Sequence, residues 1–485
     1  MITPHRVDCN HESPSFQDSQ DSVTKALEFA SIQEAGALLR ARTLSSVELT
    51  QLMLDRIDKL DGKLNAFVTV TAELALQQAR QADAELRNGR DRGPLHGIPI
   101  AIKDLFETAG VLTTGGSKVY ETWIPDRDAT VVRRLADAGA VMLGKTSLHE
   151  LACGSTSINP FFGAVANPWK LDHHPGGSSG GSAVAVAAGM AYAALGTDTG
   201  CSVRQPAQCC GIVGYKPTYG LVSLAGVLPL VPSMDHVGPF TRTVCDAATV
   251  LTAVQGYDPD DPLSVDREAA DYTMSMSREV EGLTVGVPRE FFFTGGEPEV
   301  AEIVARAIEK FSDLGADVID VKLADVQQAY RQADVTFSEI EISYGEALAK
   351  RPEAFSEPFR RRYAAVTKSS SDDYEAAQRF RAGFRKSCAE LLESCDVLAT
   401  PTATVAAAPI EKQPREHDIE RRKNTCVFNF TGQPSISIPC GFTEDGRPVG
   451  LMLTGRMFED GEVFRFARAF EGVTHWHERH PGLDR

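Results

Sequence analysis

The sequence predicts an α/β protein, with a mixed or parallel β-sheet covered by helices on both faces. Three observations carry this. Short apolar runs alternate with segments of helical periodicity along almost the whole chain. No internal repeat or low-complexity linker divides it, so one large domain is expected rather than several. Its 485 residues are 42% hydrophobic, enough to bury a large core.

In order, the first clear element is "SIQEAGALLRAR", with helical spacing from Ser31. "SSVE" (Ser45 to Glu48) is a capping box that opens the helix "VELTQLMLDRIDKL". "AELALQQARQADAELRNG" is a third helix that stops at a glycine. "PLHGIPIAIKD" then switches to an apolar run that reads as a buried strand. "TVVRRLADAG" and "AVMLGKT" read as helix, then strand. "SAVAVAAGMAYAAL" is alanine-rich and small on every face, as a fully buried helix requires. Residues 220–290 should alternate short strands and helices, and 296–395 should be mostly helical and charged. "VLATPT" and "PSISIPCG" are two more strands, and "GEVFRFARAFEGV" is a late helix. Residues 1–29 are polar without an apolar run; they read as a disordered tail, not a signal peptide. The domain is expected over 30–485.

The net charge of −17 sets an average field that repels polyanions, so a small-molecule substrate is expected, with no nucleic acid. No apolar stretch reaches membrane-spanning length, so no membrane is expected. Ten cysteines lie without metal or disulfide spacing, which suits free thiols in a cytoplasmic protein. "HWHERH" (475–480) reads as a solvated tail, since His475 and His477 do not share a helix face.

Three stretches could carry chemistry. "PGGSSGGSAVAVAAG" (175–189) has the glycines of a phosphate loop but lacks its lysine. Gly176, Ser178 and Gly180 also satisfy a nucleophile-elbow spacing, with His236 and His417 downstream. The preceding "PWKLDHHP" is no strand, however. Lys103 ends an apolar strand. It either snorkels or pairs with Asp104, or it is buried and neutral enough to act as a base. "GTDTGCSVRQPA" (196–207) offers two nucleophiles, Cys201 and Ser202, among small residues whose N–H groups could converge on an oxyanion. Nothing beside Cys201 would lower its pKa, because Arg204 is expected to pair with Asp198.

Together these stretches resemble the amidase signature family. "LHGIPIAIKDLFETAG", "AGAVMLGKTSLHEL", "NPFFGAVANPWK", "GIVGYKPTYGLVS", "MDHVGPFTRTVCDAA", "LATPTA", "GQPSISIPCG" and "GRPVGLMLTGR" are similar to family landmarks in family order, over roughly residues 30–480. Lys103 and Ser178 stand 75 residues apart, and Ser178 and Ser202 stand 24 apart, as in the family. The resemblance implies a large mixed β-sheet covered by helices on both faces. It implies a Ser–cisSer–Lys triad, with Ser202 the nucleophile, Ser178 the proton relay after a cis Gly177–Ser178 bond, and Lys103 the base. The backbone N–H groups of Thr199, Gly200, Cys201 and Ser202 would form the oxyanion hole. The reaction is then hydrolysis of a linear amide through an acyl-enzyme, and no metal or organic cofactor is implied. Within 296–425 lies the mainly helical region expected to set substrate specificity.

Departures bear on the substrate. Cys201 stands where the family usually has glycine, and Cys153 and Gly154 are candidates for the acyl pocket. The signature region is similar to the A subunit of glutamyl-tRNA amidotransferase. That protein holds the glutamine amino group with an acidic residue, and the corresponding position here falls near Arg422, whose charge repels an ammonium. Gln205 replaces an arginine that would hold a substrate carboxylate in a malonamidase-like relative. The expectation is therefore a stand-alone hydrolase of a neutral amide, anilide, carbamate or urea-type substrate, monomeric or homodimeric. The alternatives are the amidotransferase component, hydrolysing glutamine within a complex, and an α/β-hydrolase-type esterase using Ser178.

Overall fold

Side-chain caps set the first helix starts. Ser31 pairs with Glu34, and Ser45 with Glu48, in two capping boxes that open helices Ile32–Ala41 and Ser46–Leu64. At the second, Ser45 Oγ accepts from the Glu48 N–H at 3.1 Å, and the Glu48 carboxylate accepts from the Ser45 N–H at 2.8 Å. The computed structural model describes residues 27–277, 279–412 and 417–483. The polar segment up to residue 26 lies outside the described residues. The expected start near Ala30 is three residues late: Leu27–Phe29 forms a helical turn, Leu27 is buried, and Phe29 stacks on His480 with ring centroids 3.9 Å apart.

Among the described residues, thirteen strands follow in chain order. They are β1 (Phe67–Val70), β2 (Pro99–Lys103), β3 (Val141–Thr146), β4 (Ile158–Asn159), β5 (Gly163–Ala164) and β6 (Ala193–Thr197). Then come β7 (Val213–Lys216), β8 (Val237–Thr241), β9 (Thr284–Val287), β10 (Asp317–Asp320), β11 (Val397–Pro401), β12 (Ser435–Phe442) and β13 (Pro448–Thr454). Eleven build one sheet in the order β1-β3-β2-β6-β8-β7-β12-β13-β11-β9-β10, while β4 and β5 pair with each other. The sheet is mixed. β2 runs parallel to β3 and β6, and β9 runs parallel to β10 and β11, whereas the strands between β6 and β11 pair antiparallel. Helices cover both faces. The fold class is the expected one, and the reason is visible in β2, β6, β11 and β13, where every residue is buried.

Helix Gly180–Ala187 is buried on all sides, as its small residues predict, but the helix expected through Leu195 stops at Ala187, and Ala193–Leu195 instead open the buried strand β6. A Cβ at Gly181 would meet Ala66 O and Ser147 O, both at 2.5 Å, so only glycine lets this helix sit against neighbouring backbone. Residues 296–395 carry five helices of ten residues or more: Pro298–Asp313, Val326–Thr336, Ile340–Lys350, Glu357–Val366 and Ser371–Leu391. The exception is β10. Its sequence "DVID" is mostly exposed at the sheet edge and carries no apolar alternation to announce a strand. The expectation for 220–290 holds less well: after helix Val244–Val254 the chain is irregular up to Asp271.

Candidate active site

β2 ends at Lys103 and its parallel neighbour β6 ends at Thr197, with Ile102 opposite Leu195. This register brings Lys103 Nζ to 2.8 Å from both Thr197 Oγ1 and Ser178 Oγ. The lysine is 0% exposed. Burial drives its pKa down to about 7, against the opposing pull of the Asp198 and Asp235 charges. Neither carboxylate hydrogen-bonds to the amine. Asp198 accepts from the Val203 and Arg204 N–H groups, the Arg204 guanidinium and Asn429. Asp235 accepts from Thr199 Oγ1 and the N–H groups of Leu230 and Val231. The alternative of a pair with Asp104 is not what forms: Asp104 takes Thr114 and Lys145.

The Gly177–Ser178 peptide is cis. Its glycines allow close approach of other backbone. A Cβ at Gly177 would meet Thr156 N at 2.6 Å and Ser157 N at 2.7 Å; one at Gly176, where φ is +85°, would meet Pro206 Cα at 2.7 Å. Gln205 braces the segment from the other side, accepting the Gly177 N–H at 2.9 Å and donating to Cys209 Sγ at 3.5 Å. Both ends of Gln205 are thus engaged inside the protein. In this structure Gln205 acts as a brace of the cis segment. The nucleophile-elbow reading is corrected. Ser178 Oγ meets Lys103 rather than a histidine, and buried His236 turns its Nδ1 to Met234 O at 2.7 Å. The side chain of His417 lies outside the described residues.

The loop Thr199–Ser202 is held at its first three residues. Thr199 Oγ1 donates to Asp235 at 2.5 Å, Gly200 O accepts from Thr425 Oγ1 at 2.7 Å, and Cys201 Sγ contacts Gly177 O at 3.5 Å. The buried Arg204–Asp198 pair, 2.9 Å apart, forms as expected and closes the loop. Among the described residues, the N–H groups of Thr199, Gly200, Cys201 and Ser202 donate to no acceptor. Ser202 is 5% exposed and its Oγ makes no hydrogen bond there either. The Cys201–Gly177 contact brings the residues just before the two serines together. Burial pushes the Cys201 thiol up to about 12, so its sulfur stays protonated at neutral pH.

Around this centre the expected pocket residues separate. Cys153 is buried, and burial pushes its thiol up to about 11. A Cβ at Gly154 would lie 2.2 Å from His149 Nε2, so Gly154 lies flat on that imidazole. His149 was missed from sequence. It donates its N–H to Ser178 O at 3.0 Å, and burial together with the Lys103 charge drives its pKa down to about 4. Arg422 contacts Asp334, 3.0 Å away, and stacks on Tyr330 with its guanidinium 5.1 Å from the ring centre. Residue 334 thus supplies an acidic group beside Arg422. No group of three or more His, Cys, Asp or Glu side chains among the described residues is placed to hold a metal ion. None of the described helices is long and apolar enough to cross a membrane.

The amidase family model matches residues 48–464. The A subunit of glutamyl-tRNA(Gln) amidotransferase from Moorella thermoacetica is 42% identical over 483 residues, covering 94% of this chain and 99% of that one. A solved structure from a study of a vestigial protein complex and the origins of an s-triazine catabolic enzyme is 31% identical. It superposes with a TM-score of 0.87 and covers 92% of this chain and 98% of that one. The crystal structure of the corresponding A subunit from Thermotoga maritima is 35% identical, with a TM-score of 0.78 and coverage of 92% and 95%. Residues 48–464 and the matched relatives together place this chain in the amidase signature family of enzymes that hydrolyse carbon–nitrogen bonds.

Proposed function

We propose that this chain hydrolyses a small amide through an acyl-enzyme on Ser202. The supporting observation is the buried amine of Lys103, 2.8 Å from Ser178 Oγ, with both nearby carboxylates engaged elsewhere. Uncharged, the amine holds a lone pair, and the bond to Ser178 reverses so that the hydroxyl donates to it. Ser202 passes its proton to Ser178 as Ser178 passes its own to Lys103. The Ser202 Oγ–carbon bond forms, and the carbonyl π electrons move onto oxygen. The four N–H groups of Thr199–Ser202 receive that oxyanion; removal of one such donor typically costs about 3–4 kcal/mol in the transition state. Collapse breaks the C–N bond, and the proton on Lys103 returns through Ser178 to the leaving amine. Water then repeats the sequence in reverse and frees the acid. Cys201 lends its backbone and not its sulfur.

A fluorophosphonate probe followed by peptide mapping tests the assignment. The adduct is expected on Ser202 and is lost in Ser202→Ala. An adduct on Ser178 overturns it.

A second reading is favoured by the names of the relatives. Eight similar curated proteins, 39–42% identical, are each the A subunit of a glutamyl-tRNA(Gln) amidotransferase. On that reading the chain hydrolyses glutamine as part of a complex. Arg422 supports the stand-alone reading instead, because a guanidinium is a poor neighbour for the glutamine ammonium. The helical region 296–425 supplies Asp334 and Arg422 to the site's surroundings, which supports its role in specificity.

A further inference from the structure

The segment leading into helix Lys423–Thr431 is tied to the oxyanion loop. Thr425 Oγ1 bridges Gly200 O at 2.7 Å and Arg422 O at 2.9 Å. Phe337 lies between the loop and two arginines. A Cβ on Gly200 would be 3.4 Å from Phe337 Cζ, and the guanidiniums of Arg362 and Arg422 lie 5.6 and 6.0 Å from that ring centre. Both arginines share one carboxylate, Asp334, with Arg362 Nη2 at 3.3 Å and Arg422 Nη1 at 3.0 Å. Two cations against one anion leave the group one positive charge in excess.

Its hydrogen bonding is also incomplete. Arg422 Nη1 sits close to Asp334 but off the hydrogen-bonding line, and it has no acceptor among the described residues. The ring of Tyr330 lies under the same guanidinium, and its Oη is buried with no hydrogen-bond partner among the described residues. A buried donor left unmatched is costly, so two on stacked side chains mark where a ligand acceptor would gain most. Exposure is graded: the Arg362 side chain is 36% exposed and that of Arg422 is 16%, so the group runs from the surface inward.

We infer that Arg422 and Tyr330 receive a carboxylate carried by the acyl part of the substrate. The inference rests on the acyl-enzyme reading above and deepens it. Arg422 then supplies the charge, Tyr330 donates its hydroxyl proton to a carboxylate oxygen, and Asp334 orients the guanidinium. The substrate class becomes a monoamide of a dicarboxylic acid without an ammonium group. This changes the neutral substrate expected from Gln205, since the cation now comes from residue 422.

Ammonia release is measured for the monoamides of succinate, glutarate and adipate, for butanamide, pentanamide and hexanamide, and for glutamine. For at least one chain length the carboxylate should raise kcat/KM about tenfold or more over its neutral partner, mainly through KM. Glutaramate should exceed glutamine. Arg422→Gln should bring the carboxylate-to-neutral ratio close to one, and Tyr330→Phe should lower it several-fold. A purely structural role would depress both substrates alike and leave the ratio intact; that outcome overturns the inference. So does a wild-type ratio near one at every chain length, or a preference for glutamine over glutaramate. Should Arg422→Gln not fold, the ratio in Tyr330→Phe decides. Isothermal titration of the matching dicarboxylate needs no turnover. Binding by wild type that Arg422→Gln or Tyr330→Phe abolishes, without hydrolysis of any amide, upholds the carboxylate site while the acyl-enzyme reading fails. Ser202-dependent pentanamide hydrolysis with no carboxylate preference means the reverse.

Discussion

Lys103 and Lys145 stand at the ends of neighbouring parallel strands, both 0% exposed, yet their surroundings prepare them for different work. The Lys103 amine faces two hydroxyls, Ser178 and Thr197. A hydroxyl accepts or donates, so these partners suit either protonation state of the amine. The Lys145 amine faces the carbonyl of Phe106 at 2.6 Å, Thr113 Oγ1 at 2.8 Å and Asp104 Oδ1 at 3.6 Å. A carbonyl and a carboxylate only accept, so they hold an ammonium in place. Burial lowers both amines, but the Asp104 charge offsets part of this and Lys145 stays at about 8, against about 7 for Lys103. Equal burial thus does not make equal lysines. What separates a strut from a base is whether its neighbours tolerate loss of the proton.

Three experiments break or sharpen that comparison. Lys103→Ala should lower kcat/KM by about 10²–10⁴, the usual contribution of a general base, while the thermal unfolding profile stays cooperative. Wild-type activity in this variant removes Lys103 from the mechanism. Lys145→Met should do the opposite. It leaves the buried Asp104 without its cation and should cost about 3–5 kcal/mol of unfolding free energy in urea, with activity per folded molecule retained. A large loss of kcat in folded Lys145→Met would erase the distinction between the two lysines.

The pH profile has the smallest expected effect. Below about pH 7 Lys103 carries a proton and has no lone pair, so kcat/KM should fall by up to tenfold per unit toward acid and level off above neutrality. Lys145→Met should leave that midpoint in place. With chemistry rate-limiting, a flat profile from pH 5 to 9 contradicts a titrating base.

Much of this was legible in the chain. The capping box at Ser45 and Glu48, the apolar run ending at Lys103 and the small-residue helix Gly180–Ala187 each obey local rules, because periodicity and side-chain size act over a few residues. The glycines at 176 and 177 were visible, but their reason was not. It lies in Pro206 and in Thr156 and Ser157, whose backbone crowds the two α-carbons. Gln205 looked like a pocket residue because its position in the chain matched one; space shows both its polar ends already used. Asp334 went unnoticed because it lies 88 residues before Arg422, and no local pattern in helix Val326–Thr336 or in the turn before helix Lys423–Thr431 marks the pair.

Residue order alone established the fold class, the family and the chemistry-bearing residue types, since these follow from burial periodicity and from motifs that are contiguous in the chain. The three-dimensional packing settled which groups are left over. Hydrogen bonds between distant segments occupy Asp198, Asp235 and Gln205; they leave the Lys103 amine bonded to hydroxyls and to no carboxylate, and the N–H groups of Thr199–Ser202 without an acceptor among the described residues. Reactivity depends on that remainder, and a remainder exists only once every long-range partner has been placed.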